Sequence, residues 1–241
     1  MAKRVITKDR YIAIFDILGF KDWVKENDHE TIYKELDEIK RSLGLQENIS
    51  KALRSYPAKY KSDRIPKSVK VVIEHVLFSD TILFITSSSP HSFAAITMQS
   101  RFLIQRCLSK GIPIKGCIAK GLISFNKDRQ IIFGRPIIDA YLLSEEMKFM
   151  GIILDKSVEE EIIKYSNTNF LKGKVPLKSG SINYNYLDIK CNLPYENKQK
   201  EIELYNGINN MYHRVNGAPR IYYDNTLSLF YPNEVMKDLG L

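Results

Sequence analysis

The chain has 241 residues, 44% of them hydrophobic and 27% charged, which fits one sizeable folded core and excludes wholesale disorder. No apolar run approaches the roughly 20 residues that span a bilayer, and the N-terminus lacks a signal peptide's apolar segment and cleavage site, so we expect a cytoplasmic protein without a membrane partner. The three cysteines are isolated and the four histidines scattered, which excludes a disulfide framework and a zinc site.

The formal net charge of +8 and a pI near 9.2 are compatible with three anionic partners: nucleic acid, an acidic membrane surface or a small molecule such as a nucleoside triphosphate. The lysines are spread along the whole chain instead of forming one basic tract. Dispersed charge favours a solvated basic surface, so we expect no nucleic-acid partner.

The chain opens on a predicted strand and a predicted helix. The apolar run 11–16 is typical of a buried strand. Apolar residues recur at helical spacing over 32–43, with Asn27 or Asp28 as the helix cap. Residues 51–67 are charged and broken by prolines, which indicates a short helix and an exposed loop.

The middle of the chain predicts a hairpin, a helix and another strand pair. Residues 68–90 are rich in β-branched residues and interrupted at 78–80, which predicts a β-hairpin. A helix follows and ends at Gly111. Its predicted inward side comprises Phe93, Ile96, Phe102, Leu103 and Cys107. A strand over 112–125 and a short return strand over 131–133 come next.

The remaining elements complete a recognisable order. Gly134 and Pro136 open a helix whose predicted inward residues are Ile138, Tyr141 and Leu142. A strand at 151–155, a short capped helix, a hairpin over 175–190 and a helix over 196–215 follow, whereas 220–230 fits either a strand or a helix. The order predicts an α+β, ferredoxin-like β-α-β-β-α-β antiparallel sheet with helices on its faces. We expect one domain over 1–241, with a core of about 8–195 and a C-terminal extension of about 196–241.

Two carboxylates stand where strands stop. Asp16 follows the first strand, and Asp80 lies in the hairpin turn. In a β-α-β-β-α-β sheet the first strand neighbours this hairpin, so the two side chains should lie side by side. Close carboxylates repel unless a cation separates them, and Mg²⁺ accepts this arrangement with substrate phosphates completing its shell. A single strand-end Asp is more often a cap, but two that meet favour metal-dependent nucleotide chemistry.

The residues after Asp16 predict a phosphate site. The segment Ile17, Leu18, Gly19 and Phe20 leads from a strand into a helix, where backbone N–H groups are free to bind an anion. Gly19 allows close approach of the backbone to a phosphate.

These motifs together resemble the class III nucleotidyl cyclases. "FDILGF" resembles their first metal-binding motif, "FSDTILFIT" their second, and "GRPIIDAYLL" their G-x-x-V-N-x-A-x-R-L helix, in the right order over about residues 11–157. The most similar variant is the pyrimidine cyclase of bacterial Pycsar antiphage systems, which shares "FSD", a basic-glycine "PIKGCIAKG" strand and a tyrosine-rich "YLD" strand followed by a helical extension.

The resemblance implies roles for individual residues. Asp16 and Asp80 match the ligands of two Mg²⁺ or Mn²⁺ ions, and Ile17 matches the position whose carbonyl completes the site. Ile138 and Leu142 stand where purine cyclases carry an Asn and a transition-state Arg, and Asp139 lies one position off. Another cation must then stabilise the transition state, or activity is absent. The candidates are Lys115, Lys120 and Lys178.

The base-reading positions also depart from the purine pattern. Glu74 stands where purine cyclases place a Lys, six residues before the second Asp, and Ile131 stands at the matching Asp position. Losing a hydrogen-bonding pair changes base preference strongly, which disfavours adenylate and guanylate cyclases without selecting between uracil and cytosine.

The resemblance therefore implies a homodimeric cyclase that converts UTP or CTP into the 3′,5′-cyclic nucleotide and pyrophosphate. Its product would act on a separate effector protein in antiphage defence. Three alternatives stay open: a purine cyclase or polymerase-type enzyme on the same sheet, a catalytically silent nucleotide-binding or dimerisation module, and a basic nucleic-acid binder. The absence of G-G-D-E-F disfavours a diguanylate cyclase.

Overall fold

The fold is built on one mixed β-sheet with helices on its faces. The structure, a computed structural model, describes residues 6–43, 71–164, 170–190 and 198–240, so the predicted helix and loop over 51–67 lie outside the described residues. The strands are β1 (Ile6–Ile17), β2 (Ile73–Phe78), β3 (Thr81–Ser87), β4 (Ile114–Asn126), β5 (Ile131–Phe133), β6 (Gly151–Leu154), β7 (Phe170–Leu177) and β8 (Gly180–Leu187). The helices are α1 (Phe20–Glu26), α2 (His29–Leu43), α3 (Pro90–Ser109), α4 (Arg135–Glu146), α5 (Glu159–Lys164), α6 (Lys198–Tyr212), α7 (Arg220–Phe230) and α8 (Asn233–Leu239).

The strand order confirms the predicted sheet. The strands lie in the order β2-β3-β1-β4-β6-β8-β7, with β5 paired to β4. Neighbouring strands are antiparallel except β4 and β6, which run parallel because α4 crosses between them. The first strand does neighbour the hairpin, since β1 pairs with β3.

Strand β1 is longer than predicted and lies in the middle of the sheet. Its residues Tyr11 to Phe15 are all buried, because β3 and β4 cover both edges and helices cover the faces. Its neighbour Gly116 has no room for a side chain, since a Cβ there would lie 2.3 Å from Cδ1 of Phe15. This close approach seats Phe15 against β4 immediately before Asp16.

Helices α2 and α3 follow their predicted patterns with one exception. The Asp28 carboxylate caps α2 by accepting a hydrogen bond from the Thr31 N–H (2.8 Å). Four of the five predicted inward residues of α3 are buried, but Phe102 is 40% exposed. Phe102 is adjacent in sequence to the buried Leu103, and one step along a helix turns a side chain by about 100°, towards the rim of the buried stripe.

Helix α4 faces the opposite way from the prediction. Ile138, Tyr141 and Leu142 are 59%, 49% and 57% exposed, and the helix buries Pro136, Ala140 and Ser144 instead. Small residues allow the helix to lie close against the sheet. Helical periodicity alone does not show which of the two faces of the helix packs against the sheet. The result is an apolar face on α4 that no described residue covers.

The C-terminal residues form helices that share the core of the sheet. The ambiguous segment 220–230 is the helix α7, and Tyr223 and Phe230 on it are buried. Leu204 and Ile208 of α6 are buried in the same continuous cluster. No described helix is both long and apolar enough to cross a membrane. Burial raises the pKa of the Cys107 thiol to about 12, so this cysteine is an unreactive core residue.

Candidate active site

The two predicted carboxylates meet at one end of the sheet. Asp16 is paired in register with Thr81, which directly follows Asp80. The Ile17 N–H donates a hydrogen bond to the Asp80 carbonyl (3.0 Å), which fastens the hairpin turn to the end of β1. The sheet therefore brings Asp16 and Asp80 together, as the order of elements predicts.

The turn that carries Asp80 is strained at the residue before it. Phe78 pairs with Thr81, so Ser79 and Asp80 form a two-residue turn between β2 and β3. Ser79 has a φ of 54°, in the left-handed region that favours glycine. The two-residue turn places Asp80 beside the end of β1, and the strain at Ser79 accompanies that geometry.

Substitutions at Ser79 test this strain. We expect Ser79→Val to lower the free energy of unfolding by about 1–2 kcal/mol, because a β-branched side chain is poorly tolerated at positive φ. Ser79→Gly should stay within about 1 kcal/mol of the wild type, since relief of strain offsets the added chain entropy of the unfolded state. Urea denaturation measures both variants. Ser181→Val, on an exposed strand position, is the matched control, and equal stability of the two Ser79 variants would contradict the argument.

Asp16 is the carboxylate whose ionisation the fold opposes. Its pKa is raised above 3.8, first by burial, and the charges of Asp80 and Glu145 raise the pKa further, while Lys115 lowers it. A carboxylate held near other carboxylates gains most from a cation, and a divalent ion with substrate phosphates meets that need. Within the described ranges no group of three or more His, Cys, Asp or Glu side chains is placed to hold a metal, and the donors expected from the sequence are the two carboxylates and the Ile17 carbonyl.

Lys115 is a buried lysine beside Asp16. It is paired in register with Asp16 on β4 and is only 2% exposed. Its Nζ lies 3.3 Å from Oε1 of Glu145 and 4.0 Å from Oδ2 of Asp16. Its burial shows that Lys115 is not an exposed surface lysine.

Glu145 links Lys115 to the hairpin between β7 and β8. Nζ of Lys178 lies 3.6 Å from Oε2 of Glu145, and the Lys178 N–H donates to the Glu146 carbonyl (2.7 Å). The two lysines lower the pKa of Glu145 against the opposing effect of burial. The tertiary structure thus joins Asp16, Lys115, Glu145 and Lys178 into one charged cluster.

The predicted phosphate-binding segment has fewer free donors than expected. The Ile17 N–H is bonded to Asp80, and the Leu18 N–H donates to the Pro113 carbonyl (2.9 Å). The N–H groups of Gly19 and Phe20 have no hydrogen-bond partner among the described residues. Gly19 has a φ of 71°, a conformation that only glycine adopts without strain, and this turns the chain from β1 into α1.

Two other candidates lie away from the carboxylates. Glu74 on β2 is level with Ile85 on β3, and its Oε2 lies 2.6 Å from Nζ of Lys127. Within one chain, this register places Glu74 about four residues along the strand direction from the level of Asp16. Lys120 is level with Tyr11 and bonds to Oε1 of the buried Glu161 (2.7 Å). Lys120 is therefore a structural partner of Glu161 and not a cation of this site.

Three of the positions that depart from the purine pattern are on the surface. Ile131, Ile138 and Leu142 are exposed, and Asp139 pairs with Arg135 within α4 (3.3 Å). Because Ile131, Ile138 and Leu142 are apolar, these three positions offer no polar side chain to Asp16 and Asp80.

Three residues of this region were missed from the sequence: Glu145, Lys148 and Tyr222. Nζ of Lys148 lies 5.1 Å from the Tyr222 ring centre, and Nζ of Lys115 lies 5.9 Å from it. Burial raises the pKa of Tyr222, the Lys178 charge lowers it, and the Glu145 and Asp16 charges raise it, which places the ring at the edge of the cluster. No local signal pointed to Tyr222, because its segment fitted a strand as well as a helix.

Comparison with known proteins identifies this fold. No family model and no curated sequence matches the chain. The catalytic core of a rhodopsin-guanylyl cyclase with converted specificity, in complex with ATPαS, superposes with a TM-score of 0.53 at 11% identity, covering 76% of this chain and 98% of that one. The dimeric guanylyl cyclase domain of the RhoGC fusion protein from Blastocladiella emersonii gives 0.52 at 12% identity, over 76% and 97% of the two chains.

The guanylate cyclase domain of RhGC from Catenaria anguillulae, in complex with GTP, gives a TM-score of 0.51 at 11% identity over 76% of this chain and 97% of that one. Each of these domains is covered over 97% or 98% of its length, so the likeness extends over nearly the whole of each domain. This chain has the fold of the class III nucleotide cyclase catalytic domains.

Proposed function

We propose that this protein is a nucleotide cyclase that acts on a pyrimidine nucleoside triphosphate. The observation that carries the proposal is the meeting of Asp16 and Asp80 at the end of β1, on a cyclase fold, with a pKa of Asp16 that burial and Asp80 raise. Two carboxylates held together in this way are matched to two divalent ions, Mg²⁺ or Mn²⁺, bound with the triphosphate.

The proposed reaction joins the ribose 3′-oxygen to the α-phosphorus, with loss of the 3′-hydroxyl proton to solvent, and breaks the bond from that phosphorus to the β-phosphate oxygen, releasing pyrophosphate. When bound, the ions would lower the pKa of the 3′-hydroxyl and neutralise the triphosphate. Asp16 and Asp80 would hold the ions, and Lys115 limits the cost of keeping Asp16 ionised. Lys178, which is partly exposed at the same cluster, is free to exchange its contact with Glu145 for a phosphate oxygen.

The choice of base rests on the departures at Glu74 and Ile131. A purine pocket built on a Lys and an Asp loses both hydrogen-bonding groups here, which disfavours ATP and GTP. We favour UTP over CTP. A purine cyclase is the second candidate, because the solved structures that share the fold are guanylyl cyclase domains or hold ATPαS or GTP.

A panel of the four nucleoside triphosphates with Mn²⁺, followed by mass spectrometry of the products, tests the function. Formation of cUMP or cCMP that disappears in Asp16→Ala and Asp80→Ala supports the proposal. Product from ATP or GTP alone establishes the purine cyclase. Binding without turnover favours the catalytically silent module, and salt-dependent RNA or DNA binding that survives both substitutions favours a nucleic-acid binder.

The exposed face of α4 supports a homodimer with sites between two copies. Ile138, Tyr141 and Leu142 form an apolar stripe, and the exposed Leu122 and Phe133 lie on the neighbouring pair β4 and β5. Apolar residues grouped in this way are typical of a protein interface. In such a dimer the second copy supplies residues of the base pocket that one chain does not bring to Asp16, Glu74 among them.

A charge placed on this face tests the dimer. We expect Leu142→Glu to convert the dimer into a monomer and to lower turnover at least tenfold, because a carboxylate in an apolar contact is strongly disfavoured. Sedimentation velocity measures the oligomeric state. Ile163→Glu, at a 75% exposed position on α5, is the matched control and should leave the dimer intact. A monomeric wild-type protein with full turnover would contradict the proposal.

The product of this reaction would act as a second messenger. A cyclic nucleotide has no further use at the site that makes it, so a separate effector protein that binds it is required. A role in antiphage defence rests on the resemblance to Pycsar cyclases and is part of the proposal.

A further inference from the structure

A cleft of about 950 Å³ opens next to the end of β1. One wall carries Leu18 and Gly19 of the segment expected to bind phosphate, with Trp23 of α1 beside them. Lys148 and Tyr222 also line the cleft. The volume is within the range of ligand pockets, roughly 300–1,000 Å³. The segment expected to bind phosphate and the C-terminal helix α7 therefore line the same cleft.

Backbone hydrogen bonds hold the Lys148 segment in place beside the cleft. Its N–H donates to the Pro176 carbonyl (3.0 Å), and its carbonyl accepts a hydrogen bond from Nδ2 of Asn225 (2.7 Å). Met147 and Phe149 on either side are fully buried. The side chain of Lys148 is half-buried, and its ammonium group lies over the Tyr222 ring at 5.1 Å.

Three other lysines near this region are already paired, whereas Arg214, which also lines the cleft, is exposed. Lys115 and Lys178 both contact Glu145, and Lys110 in the cleft contacts Glu35 and Glu38. For Lys148 no carboxylate lies within salt-bridge distance in the part of the chain that the structure describes. Its charge is thus available to an anion that enters the cleft.

Hydrogen bonds connect helix α7 to the segment that carries Lys148. Tyr222, Asn225 and Thr226 have the i, i+3, i+4 spacing of one helix face. Oγ1 of Thr226 accepts a hydrogen bond from the Met150 N–H (2.8 Å) and donates one to the Tyr222 carbonyl (2.6 Å). Together with the Asn225 contact, these bonds hold the Tyr222 ring against Lys148.

We propose that Lys148 binds the phosphate chain of the substrate and that Tyr222, from the C-terminal helices, is the positioning residue that holds it towards the cleft. This inference rests on the proposed function. An ammonium group held at this position stabilises the negative charge that accumulates on the departing pyrophosphate. Purine cyclases use an arginine to stabilise the transition state, and Leu142 stands at that position here. The C-terminal extension is then part of the substrate site.

The experiment compares four variants: Lys148→Met, Tyr222→Phe, Tyr222→Leu and, as the control, Tyr212→Leu. Tyr212 is a matched residue because it also lies in the C-terminal helices and carries a cation, Arg220, 4.0 Å from its ring centre. Isothermal titration with inorganic tripolyphosphate and Mg²⁺ gives a readout that needs no turnover, and the NTP panel gives kcat and KM. Circular dichroism confirms that each variant is folded.

We expect Lys148→Met to weaken tripolyphosphate binding and to lower kcat/KM by roughly 10- to 100-fold, as for the loss of a charge-assisted hydrogen bond. Tyr222→Leu should weaken binding about fivefold or more, and Tyr222→Phe should recover most of it, since the ring and not the hydroxyl holds the ammonium group. Tyr212→Leu should bind as the wild type does.

Unchanged binding by Lys148→Met, or equal losses in Tyr222→Phe and Tyr222→Leu, overturns the inference, as does a wild-type protein that binds no tripolyphosphate. If the wild type cyclises no nucleotide but binds tripolyphosphate through Lys148, the proposed function fails and the phosphate site stands. If the wild type does cyclise a nucleotide and Lys148→Met leaves this turnover unchanged, the proposed function stands and the phosphate site at Lys148 fails.

Discussion

An Asp16→Asn variant is expected to lose nucleotide turnover while becoming more stable in the absence of metal. Turnover should fall about 1,000-fold or more, because several kcal/mol of metal-dependent stabilisation depend on this carboxylate. Stability should rise because burial and two neighbouring carboxylates oppose the charge of Asp16. Mass spectrometry of the product and urea denaturation measure the two effects.

The pH dependence of stability explains why Asp16→Asn should be more stable than the wild type. The pKa of Asp16 is raised on folding, so its contribution to stability is present below its ordinary pKa of 3.8 and is lost as the pH rises through the folded value. At neutral pH the wild type therefore bears the cost of an ionised Asp16, which asparagine removes. The stability difference between variant and wild type should shrink as the pH falls towards 3.8.

Metal binding should reverse the order of stability. Mn²⁺ at about 100 times its dissociation constant stabilises a folded protein by about 2.7 kcal/mol, and we expect this gain in the wild type but not in Asp16→Asn. Asp224→Asn, an exposed acid on α7, is the matched control and should behave as the wild type. A destabilised Asp16→Asn protein that keeps a tenth of its turnover would refute the assignment.

Replacing the buried Lys115 with Met should displace the acidic limb of the pH–rate profile. Lys115 lowers the pKa of Asp16, so its loss makes Asp16 harder to ionise and moves that limb to higher pH. We expect turnover at neutral pH to fall about 10- to 100-fold, as for loss of a hydrogen bond to a charged group. The fold should be less affected, because Met fills a similar volume and Glu145 keeps its contact with Lys178.

Lys120→Met is the control for this experiment. Lys120 lies on the same strand and is also paired to a carboxylate, Glu161, but its register position is level with Tyr11 and not with Asp16. The Lys120→Met substitution should lower the free energy of unfolding, because Glu161 is buried and loses its partner. The substitution should not move the pH–rate profile. A profile that moves equally in both variants would mean that net charge, and not the Lys115–Asp16 contact, sets the pKa.

Much of the fold was predictable because its signals are local. The short apolar run before Asp16, the β-branched hairpin broken at Ser79 and Asp80, and the glycine after α3 each depend on a few consecutive residues. Their order in the chain was enough to place β1 beside β3. The facing of α4 was wrong because the small residues that it buries are a weaker signal than the large apolar residues that it exposes.

The sequence by itself determined the element order and, through it, the meeting of Asp16 and Asp80, since a strand and the hairpin beside it are specified by short-range patterns. Only the tertiary structure decided which cations surround them. Lys115 becomes buried because β4 is covered on both sides, Glu145 joins it from the end of α4, and Tyr222 reaches Lys148 from 74 positions further along the chain. Contacts across such distances depend on how whole elements pack, and no local periodicity records them.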